Sequence, residues 1–339
     1  MSNKQPLVTV LIAAYNAQEF ISQAVDSVIS QSYDNIEIII CNDCSTDKTL
    51  EILNQIASIH NNVTILNNDS NLGYLKTFNR LLASANGDYI SFLDADDYLA
   101  PDKIIRQVEL LENNPTIGVV GCQYASVSSS GEVISASHYP LIHCEIVQRM
   151  EAEMSFCGSS VMISKAVLMS IGGYREFFIG CVAEDYDWLW RILDKFKSAN
   201  LDYIGYYYRF HTNSLTRKVN FSIKKRHIHD IVKYLATERK IIGSDFIERG
   251  DDDTYNQVIY KIGQPYIVDK GLLYRKVIIE YAINKDYHNA WMYYWRLCKI
   301  TAGFNLKTFI VMSLLLLLNY SILIKIKKLS GISHLSSRI

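Results

Sequence analysis

Four short, nearly continuous apolar runs punctuate the start of the chain: LVTVLIAA (Leu7 to Ala14), IEIIIC (Ile36 to Cys41), VTILN (Val63 to Asn67) and DYISFL (Asp88 to Leu93). Runs of this β-rich kind fit strands covered on both faces. Helical patterns separate them over Ala17 to Ser30, with Phe20, Ala24 and Val28 on one face, over Asp47 to Ser58, and over Leu75 to Ala85, which Asn86-Gly87 stops. The βαβαβαβ series predicts a parallel sheet with helices on both faces, where ligands bind beyond the carboxyl ends of the strands. The polar residues that follow each strand are Tyr15 and Asn16, Asn42 and Asp43, Asn71, and Asp94, Asp96 and Asp97. Four separated segments thus bring acids, amides and one aromatic ring to one rim.

Beyond Pro101 the pattern predicts a helix (Asp102 to Leu111), a strand (Ile117 to Cys122), a hairpin around SSSGEV, and a strand leading to a helix in GSSVMISKAVLMSIGGY, stopped by Gly172-Gly173. EDYDWLWRILDKF reads as a helix with Trp188, Ile192 and Phe196 in one apolar row, and LDYIGYYYRF as a Tyr-rich strand ending at His211. After about Val219 the texture turns helical, rich in Lys, Tyr and Ile, and GLLYRKVIIEYAINKDYHNAWMYYWRLCKI reads as one helical hairpin.

With 339 residues, 49% of them hydrophobic, the chain can fill a sizeable core without staples. A formal net charge of -1 gives no basic field to track a phosphate backbone, which argues against nucleic acid as a partner. Seven scattered cysteines fit a reducing compartment better than a disulfide framework. The apolar run after Lys4 continues into an amphipathic helical pattern, so it reads as a core strand and not a targeting segment. TFIVMSLLLLLNYSILI (Thr308 to Ile324), with Lys307 before it and Lys325, Lys327 and Lys328 after it, reads as membrane-associating in preference to a buried helix. Its length leaves spanning and lying in one leaflet both open, since a spanning helix wants about 20 apolar residues.

LDADD (Asp94 to Asp97) sets carboxylates at i and i+2 on a strand end, a hard-oxygen arrangement suited to Mg²⁺ or Mn²⁺. The bland alternative is a cap on the next helix from Asp97 or Asp102. EDYD (Glu184 to Asp187), after the loop GGYREFFIGCVA, offers a base for an incoming nucleophile, although acids at a helix start also act as caps. Lys76 or Arg80 can offset a phosphate or simply occupy a solvated helix face. His211 in YRFHTNSLT is either a surface residue or a further metal ligand. In CNDCSTD the Cys41/Cys44 pair lacks the partners of a zinc site, so the interest lies in Asn42 and Asp43.

With these residues in hand, the chain resembles the inverting glycosyltransferases of family two, which have the GT-A fold and use nucleotide-sugar donors. The resemblance covers roughly residues 6 to 218 and rests on ordered motifs: PLVTVLIAAYN, CNDCSTDKT, NLGYLKTFNR, GDYISFLDADD, GGYREFF, EDYDWLWR and YRFHTNSLT. It implies that the first loop, with Ala13 and Tyr15, lines the nucleobase pocket. Asn42 and Asp43 would hold base and ribose, with Asn71 and Lys76 near the base and diphosphate. Asp94 and Asp96 match the family's D-x-D element, which binds a Mg²⁺ or Mn²⁺ ion on the diphosphate, and His211 matches a position that can join it. Asp185, with Glu184 beside it, matches the general base that deprotonates the acceptor hydroxyl.

Three departures stand out: Ala13-Ala14 where the family has Pro before Tyr-Asn, Asn42-Asp43 for the usual Asp pair, and Phe78 for a common Arg. The resemblance implies a GT-A catalytic domain over 1–218, and the residue pattern adds a helical region over 219–304 and an apolar membrane-associating helix with a basic tail over 305–339. The expected activity is transfer from a nucleotide sugar, a UDP-sugar being the expected donor, to a glycan or lipid-linked acceptor at the cytoplasmic face of the membrane. The rivals are a noncatalytic glycan-binding or scaffold subunit, and a nucleotidyltransferase of similar fold, though AAYNAQEF lacks the latter's Gly-rich basic loop.

Overall fold

The computed structural model describes residues 5–210 and 221–318, which belong to two compact units divided near residue 212. The first unit holds strands β1 (Val8–Ala14), β2 (Ile36–Asn42), β3 (Val63–Asn67), β4 (Tyr89–Asp94), β5 (Tyr98–Leu99), β6 (Ile117–Val127), β7 (Val133–Ala136), β8 (Met162–Ser164) and β9 (Lys197–Arg209). Its helices are α1 (Ile21–Ile29), α2 (Thr49–Ile59), α3 (Tyr74–Ser84), α4 (Lys103–Asn113), α5 (His143–Met150), α6 (Lys165–Ile171) and α7 (Glu184–Leu193).

The strands form one mixed sheet in the order β3-β2-β1-β4-β8-β6-β9-β5, with β7 paired to β6. The first four are parallel, as their continuous apolar runs predict, and Val10, Leu11, Ile12, Ile38, Ile40 and Leu93 lie in the core. Register then fixes the rim. Ala14 pairs with Asn42, Asn42 with Asn67, and Ala13 with Asp94, so the carboxyl ends of all four strands stop nearly level. Gly87 allows the entry to β4: a Cβ there would lie 2.6 Å from the Thr9 backbone nitrogen, and its N–H instead donates to Thr9 Oγ1 at 2.8 Å.

Several expectations need correction. The first helix begins at Ile21 rather than Ala17: Phe20, at φ -120°, is not yet helical, and Ala17 and Gln18 give their N–H groups to the next loop. The strand expected to stop at Cys122 runs on to Val127, where the hairpin begins. Of the two acids expected to cap the next helix, Asp97 is buried and does not, whereas Asp102 takes the N-cap position of α4, its side chain accepting from Ser32 Oγ at 2.9 Å in place of a cap bond. The EDYDWLWRIL helix has no single apolar row, because every residue of α7 is buried.

The second unit is helical: α8 (Ile223–Arg226), α9 (Ile228–Ile242), α10 (Phe246–Arg249), α11 (Asp252–Val268), α12 (Leu272–Ile283), α13 (Tyr287–Ile300) and α14 (Leu306–Leu317). The expected hairpin is α12 and α13, whose turn places Lys285 at φ +61° before Asp286, the cap that accepts from Asn289 N at 3.1 Å. α14 packs Met312, Leu315 and Leu316 against Ile278, Ala290, Tyr294 and Leu297 in one core cluster. Among the described residues no helix is long and apolar enough to cross a membrane, and the later part of the expected apolar segment, 319–324, lies outside them.

Candidate active site

The rim is built by loops that hold one another. Asn16 adopts φ +49°, a left-handed conformation that Asn tolerates, and its Oδ1 accepts from Thr46 N at 2.8 Å while its own N–H donates to Ser45 Oγ at 3.0 Å. Ala17 N reaches Thr49 Oγ1 at 2.8 Å, and Gln18 N reaches Asp47 Oδ2 at 3.2 Å. These bonds leave the Tyr15 ring half exposed above the carboxyl end of β1.

Asn42 and Asp43 are nearly fully buried. The Asn42 amide donates to Asn67 Oδ1 at 3.1 Å and its oxygen accepts from Ser45 N at 3.3 Å. Asp43 ties down the third loop: Oδ1 accepts from Asn68 Nδ2 at 2.7 Å and Leu72 N at 2.8 Å, and Oδ2 from Gly73 N at 2.9 Å. Gly73 sits at φ +79°, a conformation in which its N–H also reaches Asn71 Oδ1 at 3.1 Å. Asn71 is exposed beside this turn, and Lys76 is exposed on the first turn of α3. Arg80, exposed one turn further on, donates to Asn67 O at 2.6 Å and to Asn68 Oδ1 at the end of β3. Burial pushes the Cys41 thiol up to about 11, so this sulfur stays protonated, and both Cys41 and Cys44 are free cysteines.

At the end of β4, Asp94 accepts from Ser159 Oγ at 2.6 Å and from the Tyr74 hydroxyl at 3.3 Å, and both Asp94 and Asp96 are partly exposed. Asp97 turns inward, where Tyr206 OH donates to it at 2.7 Å and Arg209 N at 2.6 Å. Burial raises its carboxyl well above the ordinary range, with repulsion from Asp96 and Asp94 adding to the effect. The same Tyr206 hydroxyl accepts from Asp94 N at 3.2 Å, and Arg209 Nε donates to Asp96 O at 2.9 Å. The turn bearing Asp94 and Asp96 is therefore pinned to β9 from below.

Glu184 and Asp185 open α7, with Glu184 accepting from Ala183 N at 3.1 Å and Asp185 from Tyr186 N at 2.8 Å. One turn on, Trp188 packs edge-on against Phe92, centroids 5.6 Å apart, which anchors this helix on the strand that carries Asp94. Phe78, where the expected pattern has an arginine, fills the same aromatic cluster, 5.5 Å from Phe92 and 5.7 Å from Tyr174. Asp187 is wholly buried between Arg175 and Arg191, and Arg191 Nη2 also donates to Gly173 O at 2.7 Å.

A family model described as Glycosyl transferase family 2 matches residues 9–177. The putative glycosyltransferase EpsE of Bacillus subtilis (strain 168) is 30% identical over 249 residues, covering 72% of this chain and 87% of the relative. The chain belongs to glycosyl transferase family 2. Another relative, the UDP-Glc:alpha-D-GlcNAc-diphosphoundecaprenol beta-1,3-glucosyltransferase WfaP of Escherichia coli, is 32% identical across 62% of this chain and 80% of its own. Among solved structures, S. aureus TarS in complex with UDP-GlcNAc aligns with a TM-score of 0.58 at 18% identity over 68% of this chain and 66% of that one. The mannosyltransferase PcManGT of Pyrobaculum calidifontis, in complex with GDP-Man and Mn²⁺, aligns with a TM-score of 0.53 at 16% identity over 96% and 88%. Both likenesses concern the fold, which is the GT-A-like α/β arrangement of a transferase.

For this family-two chain, the expected site residues divide into groups. Ala13, Asn42, Asp43, Asn71 and Asp94 share the strand-end rim with Tyr15, and Lys76 stands on the adjoining helix. His211 lies outside the described residues. Among those described, no group of three or more His, Cys, Asp or Glu side chains gathers as a metal site. The donors at Asp94 and Asp96 are nonetheless all oxygen, with hydroxyls of Ser159 and Tyr74 alongside, a chemistry that fits Mg²⁺ or Mn²⁺. Sequence reasoning missed Asn68, Ser159 and Tyr206, each of which holds a rim acid in place. Ser159 sat in a stretch read as strand but lies in a short turn, Gly158–Ser160, and its approach to Asp94 is a contact 65 positions long that no local pattern announces.

Proposed function

We propose that this family-two enzyme transfers a sugar, with inversion at the anomeric carbon, from a UDP-sugar to a hydroxyl of a glycan or lipid-linked acceptor in cell-surface polysaccharide synthesis. One observation carries the reading: the register of four parallel strands sets Ala13, Ala14, Asn42, Asn67 and Asp94 level at one carboxyl edge, beneath Tyr15. WfaP and the TarS complex, both with UDP-linked sugars, support the choice of donor, and WfaP that of a diphosphoundecaprenol-type acceptor. The catalytic domain spans 1–218, followed by a helical region over 219–304 and the apolar segment over 305–339, at the cytoplasmic face of the membrane.

In this reading Ala13 and Tyr15 cover the base, Asn42 and Asp43 meet base and ribose, and Asn71 and Lys76 flank the diphosphate. Asp94 and Asp96, with His211, would hold Mg²⁺ or Mn²⁺, which supplies positive charge to the departing diphosphate when bound. Lys76 adds a second cation near the same group, a role that Phe78 cannot take. Asp185, with Glu184 beside it, takes the proton of the acceptor hydroxyl as that oxygen attacks the face of the sugar opposite the diphosphate. A single displacement from that face needs one base and inverts the anomeric centre.

The test is a nucleotide-sugar panel with Mn²⁺, scored by released nucleoside diphosphate. Asp185→Asn is expected to lower transfer by at least about 100-fold while leaving donor affinity within a few-fold of the parent. Equal turnover by the two proteins would overturn the base assignment.

A further inference from the structure

The second unit carries an apolar helix with two opposed apolar faces. On α14, Thr308, Met312, Leu315 and Leu316 are buried, three of them in the unit's core. Leu306, Ile310, Leu314 and Leu317 are 59%, 47%, 56% and 83% exposed, and at 3.6 residues per turn these four positions fall within about 80° of arc. Trp295 and Ile300 on α13 and Phe304 just before α14 are each also more than 40% exposed. A row of large apolar side chains left exposed along one helix face marks an interaction site.

Charge says what covers it. From Tyr287 to Ile339 the sequence holds no Asp or Glu, against seven cations: Arg296, Lys299, Lys307, Lys325, Lys327, Lys328 and Arg338. Arg296, Lys299 and Lys307 are exposed among the apolar residues just named. An apolar stripe set among cations with no acids complements an anionic lipid surface, where apolar burial and attraction to headgroups act together.

The helix end decides the mode. Lys285 Nζ donates to the carbonyls of Leu315 at 3.2 Å, Leu316 at 2.7 Å and Leu318, which seals the C-terminus of α14. Leu318 is extended, at φ -69° and ψ 150°, so α14 ends at Leu317. A spanning helix would also have to withdraw Met312, Leu315 and Leu316 from the core they share with α12 and α13. We infer that α14 is an in-plane anchor, which sinks its Leu306–Leu317 face into the headgroup boundary of an anionic bilayer while its other face stays in the protein core.

The inference deepens the proposed membrane location but reads lipid binding and not transfer, so either can fail alone. Full-length protein is floated with vesicles of phosphatidylcholine, with and without phosphatidylglycerol. The expected result is recovery with the anionic vesicles, reduced by high salt, and at least about tenfold weaker partitioning for Ile310→Asp/Leu314→Asp. Because both side chains are exposed, the melting temperature and nucleotide-sugar turnover in solution should stay those of the parent, and the milder Ile310→Ser/Leu314→Ser should fall between. Alkaline carbonate is expected to release the chain from cell membranes. Equal vesicle binding by parent and Asp variant would overturn the inference, as would retention after carbonate, which means a spanning segment. A parent that binds no vesicle but dimerises in solution, with the Asp variant monomeric, would assign the face to a second copy and overturn it too.

Discussion

Asp97 is the acid of LDADD that the rim hides, and its partners show why three carboxylates can crowd one strand end. The Tyr206 hydroxyl links its carboxylate to the Asp94 backbone, so removing that hydroxyl takes a donor from a buried carboxylate and an acceptor from Asp94 N. Tyr206→Phe is expected to cost about 1 to 3 kcal/mol in urea unfolding, and an unchanged midpoint would refute this role. Lys103 offers a pH test away from the site. It is fully buried, donates to Ser91 Oγ at 2.8 Å, and burial lowers its ammonium to about 8 from an ordinary 10.5. The unfolded chain therefore holds more protons between those values, and the penalty for burying Lys103 shrinks as pH rises through that window. Lys103→Met is expected to stabilise the fold by on the order of 2 to 3 kcal/mol at neutral pH, with the advantage fading toward pH 10.5. A stability difference that is flat with pH would contradict it. The thiols are the contrary case: Cys41→Ser/Cys44→Ser is expected to keep most activity, whereas Asp43→Ala, which frees Leu72, Gly73 and Asn68, is expected to weaken donor binding at least about tenfold by calorimetry.

At the scale of elements, α7 matters most, since it presents Glu184 and Asp185 yet is buried throughout. Asp187 holds it by pairing with Arg175 of the preceding loop and Arg191 one turn on. Asp187→Asn removes the buried carboxylate that both arginines share and is expected to cost about 3 to 5 kcal/mol, measured by denaturant unfolding, with transfer falling as the Gly172–Ala183 loop loosens. A fully stable, fully active variant would show that the loop is held by other means. The strands and their rim were legible in the sequence because strands covered on both faces write long apolar runs, and the polar residue after each run marks its carboxyl end. The start of α1 and the partners of the rim acids were not. Ala17 and Gln18 give their N–H groups to a loop some 30 positions on, and Arg175 meets Asp187 only after the chain has turned, so local periodicity carries no trace of them. Phe78 was legible only as a departure, and its place in the aromatic cluster is the physical reason no charge can stand there.

For the whole molecule, the account joins a transferase unit of family two to a helical unit that offers an acid-free surface to lipid. If both hold, vesicles that display a lipid-linked acceptor should raise turnover for the parent and much less for the α14 variant, while a soluble acceptor should not distinguish them. The central claim, a divalent cation and a nucleoside diphosphate sharing the edge at Asp94 and Asp96, is tested most directly by titrating UDP calorimetrically with and without Mn²⁺. The account predicts that Mn²⁺ tightens UDP binding at least about tenfold in the parent and has no effect in Asp94→Asn/Asp96→Asn. UDP affinity that is the same with and without Mn²⁺ in the parent, or the same Mn²⁺ effect in the variant, would contradict it.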